Sequence, residues 1–215
     1  MVILRRFVLG IGGLSIASAM TAAGPAVANT GPAEFILEVG NQALEIIGAN
    51  MAPAQKLGYF HQLLHQDFDM PGISRFVLGP YWRVVSKPER KEFRRLLENY
   101  LVAVYGQQLA QYGGAALRVS GSRSEPRAAI VTSQIIRPQG GPVEVDWRLS
   151  VRDGHYKVSD IAIGGISMAL TQRSEFGQEI QRGGGQFAAL LATMRETIAE
   201  GGAVSPGVGS STPGR

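Results

Sequence analysis

Two histidines spaced four residues apart are the first side chains in this sequence that could do chemistry. His61 and His65 would share one face of a helix, and Asp67 and Asp69 follow them, so the segment could be imagined around a transition metal. No glutamate completes an H-E-x-x-H frame, and no third ligand stands at a characteristic distance. A solvated polar helix face is the favoured interpretation, and we expect neither a metal site nor a cofactor.

Catalysis has equally little support in the motifs. Ser167 follows Gly164-Gly165-Ile166, which departs from the G-x-S-x-G frame of a nucleophilic serine, and the cap of a helix is a better role for it. The chain has no cysteine, which excludes thiol catalysis and thiolate metal sites. We therefore expect no catalytic residue. The alternative is an enzyme on a cone-shaped α+β fold that uses Asp146 or Asp160 as a general base on an apolar substrate.

The N-terminal 28 residues are predicted to be a cleaved signal peptide. Arg5-Arg6 precede an apolar stretch over residues 7–20, and Ala26-Val27-Ala28 forms an A-x-A cleavage site. Cleavage after Ala28 implies export to the periplasm by either the general or the twin-arginine route. It also lowers the formal net charge from +4 to +2, which disfavours nucleic acid as a partner.

Helical periodicity brackets the mature chain. Apolar residues recur at helical spacing from Pro32 to Gly48 and again from Pro53. The clearest helix starts at Ser86-Lys87-Pro88-Glu89, a capping box, and runs to about Tyr112. Two more helices are predicted over residues 167–181 and 187–198, and residues 201–215 read as a disordered tail.

Between these helices the period changes from 3.6 to 2. Residues 143–152 alternate strictly, with one apolar face and one polar face, and Asp153-Gly154 is a two-residue hairpin signal. Four short strands with tight turns predict an antiparallel sheet that is wet on one face. The fold class is α+β, with helices packed on one face of a four-stranded antiparallel sheet. The domain assignment is a signal peptide (1–28), one globular domain (29–200) and the tail (201–215).

Two separated motifs resemble those of the MlaC/toluene-tolerance family of periplasmic phospholipid-binding proteins. The first is an L-G-x-Y-W-R segment followed by S-x-E-Q-R-x-x-F, and the second is D-V-x-V-E-G-V-S-L followed by R-x-x-F. The residues that fit the first frame are Leu78, Gly79, Tyr81, Trp82, Arg83, Ser86, Arg90, Phe93, Tyr105 and Tyr112; the second is matched by residues 160–168 and 173–176. Gly164 occupies a position where the family usually has an acidic residue. The sequence of residues 167–173 is similar to that of the hopanoid-associated HpnM branch.

The resemblance implies a cone-shaped, nuclear-transport-factor-like fold that encloses an apolar lipid cavity. It implies a monomeric carrier that shuttles a phospholipid or hopanoid between an inner-membrane complex of the ABC or RND type and an outer-membrane lipoprotein complex. No enzymatic activity is implied. A structural module whose apolar face is simply a filled core is a further alternative.

The expected lipid contacts combine the family segment with the apolar faces of the predicted elements. Strict alternation predicts that Val145, Trp147, Leu149 and Val151 face the cavity. The segment Met70–Leu78 lies between Pro-Gly breaks and is predicted to be a gate whose apolar side chains cover the cargo. We also expect Arg83 to pair with Asp160. The full set of predicted lipid-binding residues is Ile73, Phe76, Tyr81, Trp82, Tyr100, Val104, Val145, Trp147, Leu149, Val151, Ile163 and Met168.

Overall fold

The computed structural model describes residues 31–109 and 112–201. The predicted signal peptide and nearly all of the predicted tail lie outside the described residues. The elements in chain order are α1 (Pro32–Gly48), α2 (Pro53–Asp67), α3 (Met70–Leu78), a 3₁₀ helix (Gly79–Arg83), α4 (Lys87–Leu109), β1 (Ala116–Glu125), β2 (Ala128–Ile136), β3 (Val143–Arg152), β4 (His155–Ile163), β5 (Ile166–Ser167), α5 (Met168–Arg182) and α6 (Phe187–Ala199).

The sheet is an antiparallel meander in which each strand pairs with the next, in the order β1-β2-β3-β4-β5. The predicted α+β class and antiparallel sheet are confirmed, but the predicted strand number of four is wrong. The fifth strand exists because Gly164 (φ +56°) and Gly165 (φ +82°) form a two-residue turn. This turn returns the chain onto β4, where Ile166 pairs with Ile163.

Local capping explains where several helices begin. The Ser86–Glu89 capping box is confirmed: the Ser86 amide donates to Glu89 Oε2 at 2.8 Å, and the Glu89 amide donates to Ser86 Oγ at 3.4 Å. Ser167 Oγ accepts from the Leu170 amide at 3.1 Å and so caps α5, as predicted. Asp69 caps α3 by accepting from the Gly72 amide at 3.0 Å.

Helices cover one face of the sheet, as predicted. Helix α1 packs on β1 and β2, and α2, α3 and α5 pack on β4. Helix α4 lies between two groups of helices, with α1 and α2 on one side and α3, α5 and α6 on the other. The apolar face of the sheet forms a separate cluster with Ile36 of α1. The space left between these clusters is the cavity described next.

Candidate apolar cavity

An apolar cavity of about 250 Å³ lies between the helices and the sheet. Its walls come from all the layers of the fold: helices α1 to α5 on one side, and β3 and β4 on the other. The site is therefore a product of the tertiary fold, since no single element supplies more than a part of the lining. Its lining residues are Val39, Ala43, Phe60, Leu63, Leu64, Phe68, Ile73, Val77, Leu97, Leu101, Val102, Tyr105, Gly106, Trp147, Ser159, Asp160, Ile161, Ile163, Met168, Ala169 and Gln172.

The sheet contributes an aromatic wall, the indole of Trp147, whose N–H is hydrogen-bonded within the sheet. Trp147 is 8% exposed, and its Nε1 donates to Ser133 Oγ at 2.9 Å. Ser133 is fully buried, and its hydroxyl in turn donates to the Val145 carbonyl at 3.1 Å. Because the indole N–H is satisfied within the sheet, the indole offers the cavity an apolar surface.

A short polar chain borders the cavity where α4 meets α5. The Tyr105 hydroxyl donates to Gln172 Oε1 at 3.3 Å, and Gln172 Nε2 donates to Glu175 Oε2 at 2.5 Å. Burial raises the pKa of the Tyr105 hydroxyl, and the nearby Glu175 raises it further. Burial also raises the pKa of the Glu175 carboxyl, although its hydrogen bond from Gln172 opposes the shift. These three side chains are bonded to one another, and none of them presents the cavity with a side chain that lacks a partner.

Asp160 lines the cavity but is engaged in the structure of the fold. Its Oδ2 accepts from Ser167 Oγ at 2.6 Å, and its Oδ1 accepts from the Ala169 amide at 2.9 Å. The predicted Arg83–Asp160 pair is wrong: Arg83 is exposed, and Arg148 approaches Asp160 with its Nε 3.8 Å from Oδ2. The reason is register, since Arg148 and Asp160 are directly opposite in the β3–β4 pair.

Four of the predicted lipid-binding residues line the cavity: Ile73, Trp147, Ile163 and Met168. They come from α3, β3, β4 and the first position of α5, so the fold unites one residue of the predicted gate, one of the alternating strand and two of the second family motif. Whether they contact lipid stays a prediction.

The other residues of the alternating strand lie away from the cavity. Val145 and Leu149 are 1% and 2% exposed and pack with Ile36 of α1 in the cluster between helix and sheet. Val151 is half-buried near the end of β3. The predicted cavity face of β3 is thus divided: all three residues pack in the cluster with Ile36, but only Trp147 also borders the cavity.

The predicted contacts on α4 and before it also lie outside the cavity lining. Tyr100 and Val104 belong to the cluster that α4 forms with α5 and α6, and burial, with Glu175 and Glu179 nearby, raises the pKa of Tyr100 to about 12. Phe76 is 40% exposed. Tyr81 and Trp82 are half-buried and pack against the same cluster, and the guanidinium of Arg90 lies 5.4 Å from the centre of the Trp82 ring.

The predicted gate, Met70–Leu78, is a regular helix in the structure, so the predicted break at Pro71-Gly72 is helical as well. Proline is tolerated in a first helical turn. Because Asp69 caps the helix, the first helical residue is Met70, one position before Pro71. Ile73 and Val77 face the cavity. A swinging motion of this helix stays a prediction.

Sequence reasoning missed the contribution of α1 and α2. Five of the residues in their helical periods line the cavity: Val39, Ala43, Phe60, Leu63 and Leu64. The available signal was the amphipathic spacing of these helices, which indicated a buried face. It gave no indication of whether that face is covered by side chains or borders a space.

The histidine pair has an unexpected neighbour. His61 Nε2 and His65 Nδ1 each lie 3.5 Å from the same Glu98 oxygen, which comes from α4. Within residues 31–109 and 112–201, no group of three or more histidine or acidic side chains is arranged to hold a metal ion. In the same part of the chain, no helix combines the length and apolar character that a membrane span requires.

Comparison with known proteins places this architecture in context. The model of the MlaC protein family matches residues 38–196. Toluene tolerance protein ttg2D of Pseudomonas putida is 23% identical over 126 residues, which are 58% of this chain and 59% of that protein. The chain thus spans about three-fifths of the length of this curated relative.

A solved structure shares the fold. It is a phospholipid-binding protein from Ralstonia solanacearum, determined in complex with a phospholipid at 1.53 Å resolution. The two chains are 20% identical with a TM-score of 0.69, and the match covers 79% of this chain and 97% of that one. The arrangement of helices over a meander is therefore common to both proteins.

Proposed function

The chain belongs to the MlaC family, and on that basis we propose that it is a lipid carrier rather than an enzyme. Its cargo is a phospholipid or a hopanoid, whose hydrophobic part enters the apolar cavity while its polar part stays in water. The single observation that carries the proposal is the cavity itself, with walls from five helices and two strands. The phospholipid bound to the similar structure from Ralstonia solanacearum supports the choice of ligand class.

The energetics of moving a lipid through water favour such a cavity. Removing one methylene group from water contributes about 0.8 kcal/mol, so even a short alkyl segment needs an apolar enclosure to leave a membrane. The polar atoms at the wall are already bonded, Trp147 to Ser133 and Tyr105 to Gln172. An apolar ligand can thus bind without leaving a protein donor or acceptor unpaired.

The size of the cavity implies that its walls separate during loading. At about 250 Å³ it lies below the roughly 300–1,000 Å³ of ordinary small-molecule pockets. A lipid with long chains therefore requires a wider state, which the ligand favours by binding to it better than to the closed one. The side chains that α1 and α2 contribute to the cavity are apolar, so widening of the cavity there separates non-directional contacts, while the polar contacts of α2 with Glu98 and Lys157 lie outside the lining.

The two candidate general bases support the carrier over the enzyme. Both oxygens of Asp160 accept hydrogen bonds at the start of α5. Asp146 lies outside the cavity lining and accepts from Thr132 Oγ1 at 2.8 Å. Each carboxylate has a structural role, so Asp160→Asn should leave lipid binding intact.

We further infer a place in the periplasm between two membranes. The predicted signal peptide, the absence of cysteine and the family membership support export. The carrier would then act as a monomer that collects lipid at one membrane complex, of ABC or RND type or an outer-membrane lipoprotein complex, and releases it at the other. A partner must offset the affinity of the closed cavity for release to occur.

Mass spectrometry of lipid extracted from the purified protein tests the proposal directly. We expect a phospholipid or a hopanoid in near-stoichiometric amount, and the spectrum identifies which class is bound, including the HpnM-like expectation of a hopanoid. A protein without any bound lipid, and without uptake from vesicles of phosphatidylglycerol and phosphatidylcholine, would refute the carrier.

A pair of matched variants links the lipid to the cavity. Ala43→Phe places a ring in the space between α1 and α4 and should strongly reduce the lipid content. Ala188→Phe makes the same chemical change at an exposed position on α6, away from the lining, and should leave the lipid content unchanged. Equal lipid content in the two variants would place the lipid elsewhere.

A further inference from the structure

The turn between β4 and β5 presents exposed apolar side chains beside the cavity. Ile163 and Ile166 are a cross-strand pair flanking Gly164-Gly165, and they are 38% and 56% exposed. Leu170 follows in the first turn of α5 and is 54% exposed. Ile163, Ile166 and Leu170 are called the apolar tip below. Isolated exposed apolar residues are ordinary, but three within eight residues of one hairpin and its following helix turn are not scattered.

The apolar tip is continuous with the cavity. Ile163 is both exposed and part of the lining, and Met168 and Ala169, which lie between Ile166 and Leu170 in the chain, are also lining residues. One short segment therefore has one side on the cavity and the other on solvent. A hydrophobic ligand that leaves the cavity here would pass along apolar side chains.

The same segment is free of charge. No Asp, Glu, Lys, Arg or His occurs from Ile161 to Gln172, although such residues are frequent elsewhere in the chain. The turn backbone is bonded too, since the Gly164 amide donates to the Glu144 carbonyl at 3.0 Å. Moving the tip into an apolar environment would thus remove no charged side chain of the segment from water.

A basic side chain stands next to the tip. Arg173, three residues after Leu170, has its guanidinium carbon 5.3 Å from the centre of the Phe76 ring. Gly79 leaves room for it, since a Cβ there would lie 2.8 Å from Arg173 Nε. Arg173 and Leu170 line one surface groove with Arg182, and none of the described residues lining that groove is acidic. Arg182 is paired with Glu179 at 2.5 Å, which leaves Arg173 as the cation best placed for an outside anion.

We propose that the apolar tip inserts into the interfacial layer of a lipid surface that carries anionic head groups, with Arg173 contacting a lipid phosphate. Apolar side chains beside a base are the pattern of interfacial membrane binding. The continuity with the cavity points to a lipid surface rather than a protein partner, because it gives the cargo a direct path between bilayer and cavity. This inference rests on the proposed function of the cavity as a lipid site.

Flotation with phosphatidylcholine vesicles, with and without phosphatidylglycerol, tests the proposal. The protein should float with the anionic vesicles, and Ile166→Ser or Leu170→Ser should each lower its partitioning about three- to tenfold, as expected for a half-exposed apolar side chain. Val84→Ser is the matched control, because Val84 is 78% exposed but lies after the 3₁₀ helix. Arg173→Gln should weaken binding to anionic vesicles about fivefold and leave binding to pure phosphatidylcholine unchanged.

The lipid content of each protein separates the two proposals. Tip variants that retain lipid as purified but extract it more slowly from vesicles support membrane insertion. A protein that holds lipid, yet floats equally well with Ile166, Leu170 or Val84 replaced, overturns the insertion and leaves the carrier standing. If a tip variant floats as well as the wild type but no longer binds a membrane-protein complex, insertion is also overturned, and the tip is instead a contact surface for a protein partner. A protein that holds no lipid in any form contradicts the carrier instead.

Discussion

Asp69 ties the helical layer to the sheet, and its replacement by asparagine is the most informative single change in the chain. The carboxylate is 4% exposed and caps α3, which forms part of the cavity wall. Its Oδ2 accepts from Ser150 Oγ at 3.0 Å and from Arg152 Nε and Nη2 at 2.9 and 2.6 Å. Asp69→Asn keeps a carbonyl oxygen for the Gly72 amide but removes the charged pair.

The expected loss of stability is about 2 kcal/mol. Hydrogen bonds to charged groups contribute about 1.5–3 kcal/mol, and removing one member of a buried pair costs about 3–5 kcal/mol. Arg152 is more than half exposed, so water compensates it and the lower part of that range applies. In a domain of this size each kcal/mol corresponds to roughly 2–4 °C in melting temperature, so we expect a decrease of about 4–8 °C.

The direction of the pKa shift of Asp69 determines how the stability difference between the wild type and Asp69→Asn depends on pH. Burial opposes ionisation of Asp69, but the hydrogen bonds from Arg152, Gly72 and Ser150 outweigh it and lower the pKa of the carboxyl below its ordinary value of 3.8. A lowered pKa in the folded state means that the stabilisation is complete above the unfolded-state pKa and is lost as the pH falls through the folded-state pKa. The difference between the wild type and Asp69→Asn should therefore vanish in strong acid.

Asp67, two residues away, is a matched control whose carboxyl pKa is shifted in the opposite direction. Burial raises the pKa of its carboxyl; Lys157 opposes the shift and Glu38 adds to it. At neutral pH its charge is therefore unfavourable in the folded state, and Asp67→Asn should melt at the same temperature as the wild type or higher. The assay is thermal unfolding followed by circular dichroism, repeated from neutral pH to strong acid. Equal shifts for the two variants, or a difference for Asp69→Asn that persists in strong acid, would refute the reasoning.

Four further substitutions form three tests of the packing and capping described above. Leu149→Arg should prevent folding, because Leu149 is 2% exposed and the substitution buries a charge in an apolar cluster. Ile163→Arg should fold, since Ile163 is 38% exposed. Circular dichroism distinguishes the folded variant from the unfolded one. Ser133→Ala leaves the Trp147 N–H without its acceptor and should cost about 1–3 kcal/mol in urea unfolding; an unchanged midpoint would contradict that bond. Ser86→Ala removes the cap of α4 and should cost about 1 kcal/mol, visible as a lower melting temperature; a loss of lipid with no change in melting would speak against a purely structural cap.

Local chemistry made much of the fold predictable from the sequence. The Ser86 cap, the Ser167 cap and the β3 alternation each depend on residues within a few positions of one another, and the structure has all three. The fifth strand was not predicted, because it has only two residues and is too short to show an alternating pattern in the sequence. The positive φ of both glycines is the physical signature that makes them a hairpin turn.

The site was less predictable because it depends on which helix covers which side chain. Leu149 and Trp147 belong to the same apolar face of β3 and to the same cluster with Ile36, yet only Trp147 borders the cavity. Tyr100 and Tyr105 lie on one helix, but the first packs with α5 and α6 while the second lines the cavity. Periodicity tells which side chains are buried, and the crossing of helices over the sheet decides what they are buried against.

The sheet pairs its strands in the order in which they occur in the chain, which bears on the folding kinetics. Each hairpin closes a short loop, so the meander can assemble stepwise at low entropic cost. Helix α1, in contrast, docks on β1 from far upstream in the sequence, and that non-local step should be the slower one. We therefore expect a transition state with a formed meander and an undocked α1, in which Ile36→Val mainly accelerates unfolding while Val131→Ala slows folding. Because α1 and α2 complete the cavity, the ligand site would be the last part of the molecule to form.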